Sequence, residues 1–519
     1  MRALLIACAL ALAVAPAAGA KPDNPPKEKK PKTAAVEHIA NLPAPAAVSA
    51  NFKTYGSGKS KRTYMFLSTL HGLHVYDVTN GAAPERVAVL PFPHFQNEDV
   101  SLGGNRLLIS TDGGLGGGFL FVIDISDPKL PKPVHAIKME ASGEGHTATC
   151  IDAKCRWVWV AGDQLTPGID VYDLDRASDV DAGAVRADQN PGTSWTDIFG
   201  LPPLPASKVS VGTMRRGDYR EFGWSTHDVH VDQAGVAWVA GGDGTIGFDV
   251  SKYSAAGTDP LRPPIVSRTA NNALNDNDSF DGPVFALPDM INGVADAAID
   301  VMNGQVPPDV PEAHAGFDPE RSKDTVNDFI HHNALRPDGG DTVLITEEDL
   351  YNRRVSNMPG GCEIQGSFQT WRIEGGEMKP LDSWVTEFNE LLADQDQDPW
   401  GGDIVPTMGL CSSHYFDERD DLVAVGWYEQ GVRLLDIEDP TDIKQIGYWM
   451  PTGSAVWGAY WSPTAKDVVY VVDNKRGVDV VRVKRRTAQV DAPLLPSWTA
   501  GQKSFGRAYP GLGFICRIK

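Results

Sequence analysis

An all-β fold, a seven-bladed β-propeller, is predicted by three features of this 519-residue chain: a repeated β-rich unit, a second strand pattern ahead of each copy, and an N-terminal segment that resembles the outermost strand of a repeat. The unit is an apolar run ending in Asp and a turn. It reads LHVYDVTNGAAPERVAVLP from Leu73, FLFVIDISDPKLPKPVHAIKM from Phe119, GIDVYDLD from Gly168, TIGFDVSKY from Thr245 and GVRLLDIEDPTDIKQIGYWMP from Gly431. Two degenerate copies, FQTWRIEGGEMKPLDSWV from Phe368 and GVDVVRVKR from Gly477, carry Arg372 and Arg482 where the others carry Asp. About seven units, most of them roughly 40–50 residues long, imply propeller blades.

Each unit follows an apolar strand that leaves a polar turn, as in TATCIDAKCRWVWVAG, DVHVDQAGVAWVAGG and GAYWSPTAKDVVYVVD. Alternation, β-branched residues and turns of Gly, Asp, Asn and Lys read as two antiparallel strands, which with the two of the unit make a four-stranded blade. VEHIANLPAPAAV, near Val36, resembles the outer-strand segments ERVAVLPFP and KQIGYWMPTGSAV. It is expected to complete the last blade from the N-terminus and so remove two open sheet edges.

The domain organisation follows from these elements. Residues 1–20, MRALLIACALALAVAPAAGA, have an early Arg, an apolar stretch and Ala18-Gly19-Ala20, and read as a secretory signal peptide. Residues 21–35 form a Lys/Pro-rich linker, 36–485 the propeller, and 486–519 a tail without an assigned role. Two insertions, 175–224 and 252–329, are expected as long loops over one face; the second contains PVFALPDMINGVADAAIDVMNG, whose apolar spacing suits a helix. A periplasmic or extracellular location is expected, and no later apolar run is long enough for a transmembrane segment. The net charge of −21 would repel phosphate backbones, so no nucleic acid partner is expected. Oligomeric state is not legible. In an oxidising compartment the pairs Cys150/Cys155 and Cys362/Cys411 suit disulfides, Cys8 leaves with the leader, and Cys516 is left over.

The strings FVIDISDP and RLLDIEDP resemble the LVIVD-repeat family of exported bacterial propellers, over about Val48 to Arg485. That resemblance implies a fold and leaves the chemistry to the site.

The chemistry lies in one column of the repeat. Two residues before the first apolar residue of each inner strand stand Glu98, His146, His227, His332, His414 and Trp457 in blades two to seven, with Val48 or Ser49 in blade one. Four histidines in equivalent slots far exceed what 12 in 519 residues would place there at random. Inner strands line the channel, so these imidazoles are expected to converge at one mouth. Clustered imidazoles without a counter-charge stay neutral, and neutral imidazole is the commonest transition-metal ligand. The plainer reading is a hydrogen-bonded polar channel mouth. Iron(II) or copper is the expected ion, with zinc as an alternative. His331, adjacent to His332, should point to the other strand face and serve packing, ligand support or substrate contact. Glu98 is expected to orient or join the ligands, Trp457 to wall the arc, and Tyr415 to line the channel.

The axial four-His arrangement resembles that of carotenoid cleavage oxygenases, which hold Fe(II), and of selenium-binding, methanethiol-oxidase-like propellers, which use copper. It implies an exported oxidoreductase acting with O2 on a small or apolar organic substrate. A metal-assisted hydrolase or lyase at the same site is the alternative, and a surface propeller that binds protein or glycan without catalysis is the rival from another class. Asp394, Asp396 and Asp398 alternate as in calcium loops but lack the closing bidentate Glu, so a solvated acidic turn is favoured over calcium.

Overall fold

A computed structural model describes residues 36–44, 46–91, 100–111, 118–139, 145–162, 168–179, 203–215, 217–222, 226–242, 244–270, 330–348, 351–352, 358–359, 366–386, 412–451 and 453–484. The leader, the linker, most of both insertions, the tail, Glu98, Cys362, Cys411 and the Asp394–Asp396–Asp398 turn lie outside these residues.

The chain is an all-β propeller. Helical structure among the described residues is limited to short 3-10 turns, and no helix there is long and apolar enough to cross a membrane. Most strands pair in antiparallel runs of four; in addition Leu204–Pro205 lies parallel to Lys132–Lys138 on the second run, and Tyr351–Asn352 pairs with Met358–Pro359. The first run is Ala47–Tyr55, Arg62–Thr69, Gly72–Asp77 and Glu85–Pro91. Later runs begin with Leu102–Gly103, Ala148–Cys150, Thr226–Val231, Ile330–Leu335, Phe416–Arg419 and Val456–Trp461. Val36–Leu42 joins the final run, pairing with Gly477–Val483 from Val36 opposite Val483 to Leu42 opposite Val478.

The fourth and fifth runs meet at their outer edges. Ile265–Thr269 lies parallel to Glu377–Trp384 through Arg268 and Thr269, making one eight-stranded sheet. Ile265–Thr269, and likewise Ser210–Arg215 on the outer edge of the third run, fall inside the stretches expected to be insertions. Both are short outer strands of their runs with several partly exposed side chains, so their apolar pattern is weak.

Side chains of neighbouring runs interlock. Phe66 and Val75 pack with Ile109 and Phe121, Leu120 with Val160, Trp159 with Val239, and Trp238 with Ile345. Leu344 packs with Val425 and Leu434 with Val471; Met65 and Leu67 then pack with Tyr470 and Val480, joining the first run to the last. With apolar neighbours on both faces, a strand such as VVYVVD (Val468–Asp473) is buried at every position.

The recurrent Asp has a local cause. Asp77, Asp124, Asp249 and Asp436 each accept the backbone N–H two residues on, at 2.8–3.1 Å. In the two Asp-Pro copies, Asp127 and Asp439 repeat this at 2.9 and 3.0 Å. The motif therefore encodes a turn between third and fourth strands, formed by side chains that mimic backbone acceptors.

Candidate metal centre

The four slot histidines come together. Ring centroids are 4.3 Å apart for His146 and His227, 4.2 Å for His227 and His332, and 4.0 Å for His332 and His414. His146 Nε2 lies 2.8 Å from His227 Nε2. All four residues are buried, His332 and His414 completely.

Backbone irregularity aims them. Strand pairing skips His227, between Thr226 and Asp228, and skips His332, between His331 and Asn333. It also skips Val48 and Trp457, the slot residues of the first and last runs. A β-bulge at this point turns a residue out of the pleat, and bulges commonly re-aim side chains beside functional sites. His146 and His414 instead stand two residues ahead of strands that begin at Ala148 and Phe416. Cross-strand bonds fix the spacing: Thr147 Oγ1 donates to His227 O at 2.8 Å and Thr149 Oγ1 to Val229 O at 2.8 Å.

A carboxylate absent from the slot column completes the group. Glu348 ends Thr342–Glu348, the partner strand of Ile330–Leu335, and pairs opposite Ile330. Its Oε2 lies 3.6 Å from His227 Nε2 and 4.0 Å from His332 Nε2, and its Oε1 lies 3.9 Å from His414 Nε2. One donor atom each from His227, His332 and Glu348 falls within a 4.8 Å group. Ligands about 2.1 Å from a common ion stand roughly 3–4 Å apart, the range seen here. Tyr428 donates its hydroxyl to Glu348 Oε1.

One tautomer is settled by its surroundings. His414 Nδ1 lies 2.5 Å from the Trp457 carbonyl, which can only accept, so Nδ1 carries a proton and Nε2 is the atom that faces Glu348. Trp457 thus contributes a backbone acceptor as well as a ring, 5.2 Å from His414 and 6.2 Å from Tyr428. Tyr415 stacks edge-on against His332 at 4.8 Å and His414 at 4.9 Å. Val48, Tyr428 and Trp457 form an apolar cluster with Leu70 against it, and two of its rings border His414.

His331 is a packing residue. Its Nδ1 is 2.8 Å from Thr245 Oγ1 and its ring meets Trp371 edge-on at 5.8 Å. Burial pushes its pKa down to about 3, so it is neutral. It is separated from His332, whose ring meets His227 and His414 instead.

Cys150 and Cys155 are disulfide-bonded, which is compatible with a secreted protein. The bond closes the turn after Ala148–Cys150, the short strand that His146 precedes.

No family model matches the chain, and no curated protein does; the likeness to LVIVD-repeat propellers rests on the quoted strings. Among solved structures, the chain is similar to the β-propeller domain of Cps50 (Swd1) from Myceliophteria thermophila, with 8% identity, TM-score 0.46, and 86% of this chain and 100% of that one covered. Sqt1 of Chaetomium thermophilum bound to the N-terminus of ribosomal protein L10 shows 11% identity, TM-score 0.41, and coverage of 85% and 98%. BamB from Moraxella catarrhalis shows 10% identity, TM-score 0.37, and coverage of 81% of each chain. At such values the likeness says nothing about chemistry, and the architecture stands on the strand pairing: a β-propeller whose buried histidines and glutamate could hold a metal ion.

Proposed function

We propose that the seven four-stranded runs are the blades of one closed ring and that the chain is an exported metalloenzyme, an oxidoreductase acting with O2 on a small, apolar organic substrate. The observation that carries this reading is the donor set: His227, His332 and Glu348 within one 4.8 Å group, flanked by His146 and His414. Two imidazoles and one carboxylate with further positions left for other ligands form the set used by non-haem Fe(II) oxygenases. The carboxylate beside two imidazoles moves the balance from copper toward Fe(II), because that pattern with open positions is the one non-haem iron uses. Bound there, iron would supply one-electron chemistry toward dioxygen.

The protein's own groups would do the rest. The Trp457 carbonyl keeps His414 in the tautomer that leaves Nε2 available. The Tyr428 and Trp457 rings, clustered with Val48 and bordering His414, would supply an apolar wall suited to a hydrocarbon or aromatic substrate. Zinc in the same set would make a hydrolase, since two His and one Glu also serve catalytic zinc. That alternative shares every ligand and differs in the ion. A ring that binds protein or glycan needs no such convergence of buried titratable groups.

Metal content decides among these readings. Protein purified from its export compartment is expected to carry about one iron per chain, and His332→Ala to carry none while melting like metal-free wild type. Iron-loaded protein should then consume oxygen with apolar alkenes or aromatics. Stoichiometric zinc without oxygen uptake would favour hydrolysis. Protein that takes up neither ion would end the metalloenzyme reading.

A further inference from the structure

We infer that Tyr428 is the positioning residue that makes Glu348 a one-oxygen donor and ties it to His414, an inference that rests on the metal centre proposed above. Tyr428 sits in the turn after Leu422–Gly426, closed by Gln430 N donating to Trp427 O at 2.7 Å and Gly431 N to Tyr428 O at 3.1 Å. Its φ is +33°, a left-handed value that side chains rarely adopt, and the residue is 1% exposed. Glycine or asparagine would fill such a turn with less strain. Backbone outliers of this kind cluster where a side chain has a task.

The task is visible in the contacts. The strained backbone delivers the phenol into the site, where its hydroxyl donates to Glu348 Oε1 and its ring lies 4.8 Å from His414. Oε1 is therefore engaged, and Oε2 faces His227 at 3.6 Å and His332 at 4.0 Å. The Tyr428 carbonyl also accepts Val456 N at 2.8 Å, one residue before the Trp457 carbonyl that holds His414 Nδ1. Glu348, held by the Tyr428 hydroxyl, and His414, held by the Trp457 carbonyl, are thus tied to two segments that the Val456 N–H to Tyr428 O bond joins. A carboxylate so held offers one oxygen to an ion and leaves a coordination position for another ligand. Without the hydroxyl it can rotate and chelate through both oxygens, filling that position.

Cobalt(II) is the probe, because its visible absorption reports coordination number. In Tyr428→Phe the ring remains and only the hydroxyl is lost. The dissociation constant for Co(II), from competition with a chelator, is expected to rise about 10- to 100-fold, the usual effect of removing a ligand's hydrogen-bond partner. The visible bands should shift with the change in coordination, while the melting of metal-free protein stays near wild type. In a Glu348→Ala background the same substitution should leave Co(II) affinity unchanged. Unaltered affinity and spectrum in Tyr428→Phe, or an equal loss in both backgrounds, would overturn the positioning role and leave the metal centre intact. Wild-type protein that binds no Co(II) would overturn the metal centre itself and this inference with it.

Discussion

His38→Ala tests how firmly the N-terminal strand locks the propeller. His38 stands on Val36–Leu42, and its Nε2 lies 2.9 Å from Asp479 Oδ1 on the last repeat. Its ring stacks on Trp449 at 4.8 Å and 4°. Burial raises the Asp479 pKa, yet the bonds from His38, Arg476 and Asn41 outweigh that and hold the carboxylate below its usual range. A hydrogen bond to a charged group contributes about 1.5–3 kcal/mol, and the low end applies because Arg476 and Asn41 remain. Loss of an aromatic stack adds about 1 kcal/mol. His38→Ala should therefore cost about 2.5 kcal/mol, read from urea unfolding. Two companions sharpen the test. Glu37→Ala, on the same strand but in a half-exposed pair with Arg482 at 3.6 Å, should cost less than about 0.5 kcal/mol. His38→Ala should cost less in an Asp479→Asn background than in wild type, because the acceptor that His38 meets is then no longer charged. Equal effects of His38→Ala and Glu37→Ala would refute the claim that the buried carboxylate anchors the strand.

Two further predictions concern buried groups elsewhere. Burial pushes the Asp473 pKa up to about 6, against the N–H bonds from Lys475 and Arg476. The folded protein then holds this proton to higher pH than the unfolded chain, so the group's contribution to stability declines as pH rises from about 4 to 6. Asp473→Asn, which cannot ionise, should gain about 3 kcal/mol on wild type between pH 3.5 and 7 in parallel denaturation series, and a gap that does not move with pH would refute this. Replacing Cys150 and Cys155 by Ser should cost about 2 kcal/mol, the loop-closure value for so short a loop, and melting with and without reductant measures it.

The repeat was legible because turn chemistry writes it: Asp124 and Asp127 must be acceptors where they stand, so the DISDP string is a direct record of geometry. The histidine column was legible for a similar reason, since equivalent slots on equivalent strands converge whatever the blade count. Glu348 was within reach but missed. Antiparallel pairing back from the PDGG turn carries Leu344 opposite Leu335 and brings Glu347 and Glu348 to the level of the His331–His332 pair, with the bulge then setting Glu348 opposite Ile330. Counting along single strands overlooks such cross-strand neighbours. Tyr428 left no signal, because a left-handed tyrosine in a turn looks like any other residue between two strands. The bulges at Val48, His227, His332 and Trp457 were likewise silent, as they depend on pairing register and not on composition.

The bridge between Arg268–Thr269 and Glu377–Met378 bears on how the molecule would breathe. It spans the seam between the sheet carrying His227 and the sheet carrying His332 and Glu348, at the rim, while side chains interlock further in. A hinge needs one free margin, and this seam is fastened at the circumference as well as through its depth. Leu204–Pro205 fastens the seam between the second and third runs in a similar way, so thermal swelling should open the seams without such a strand pair before His227 and His332 drift apart.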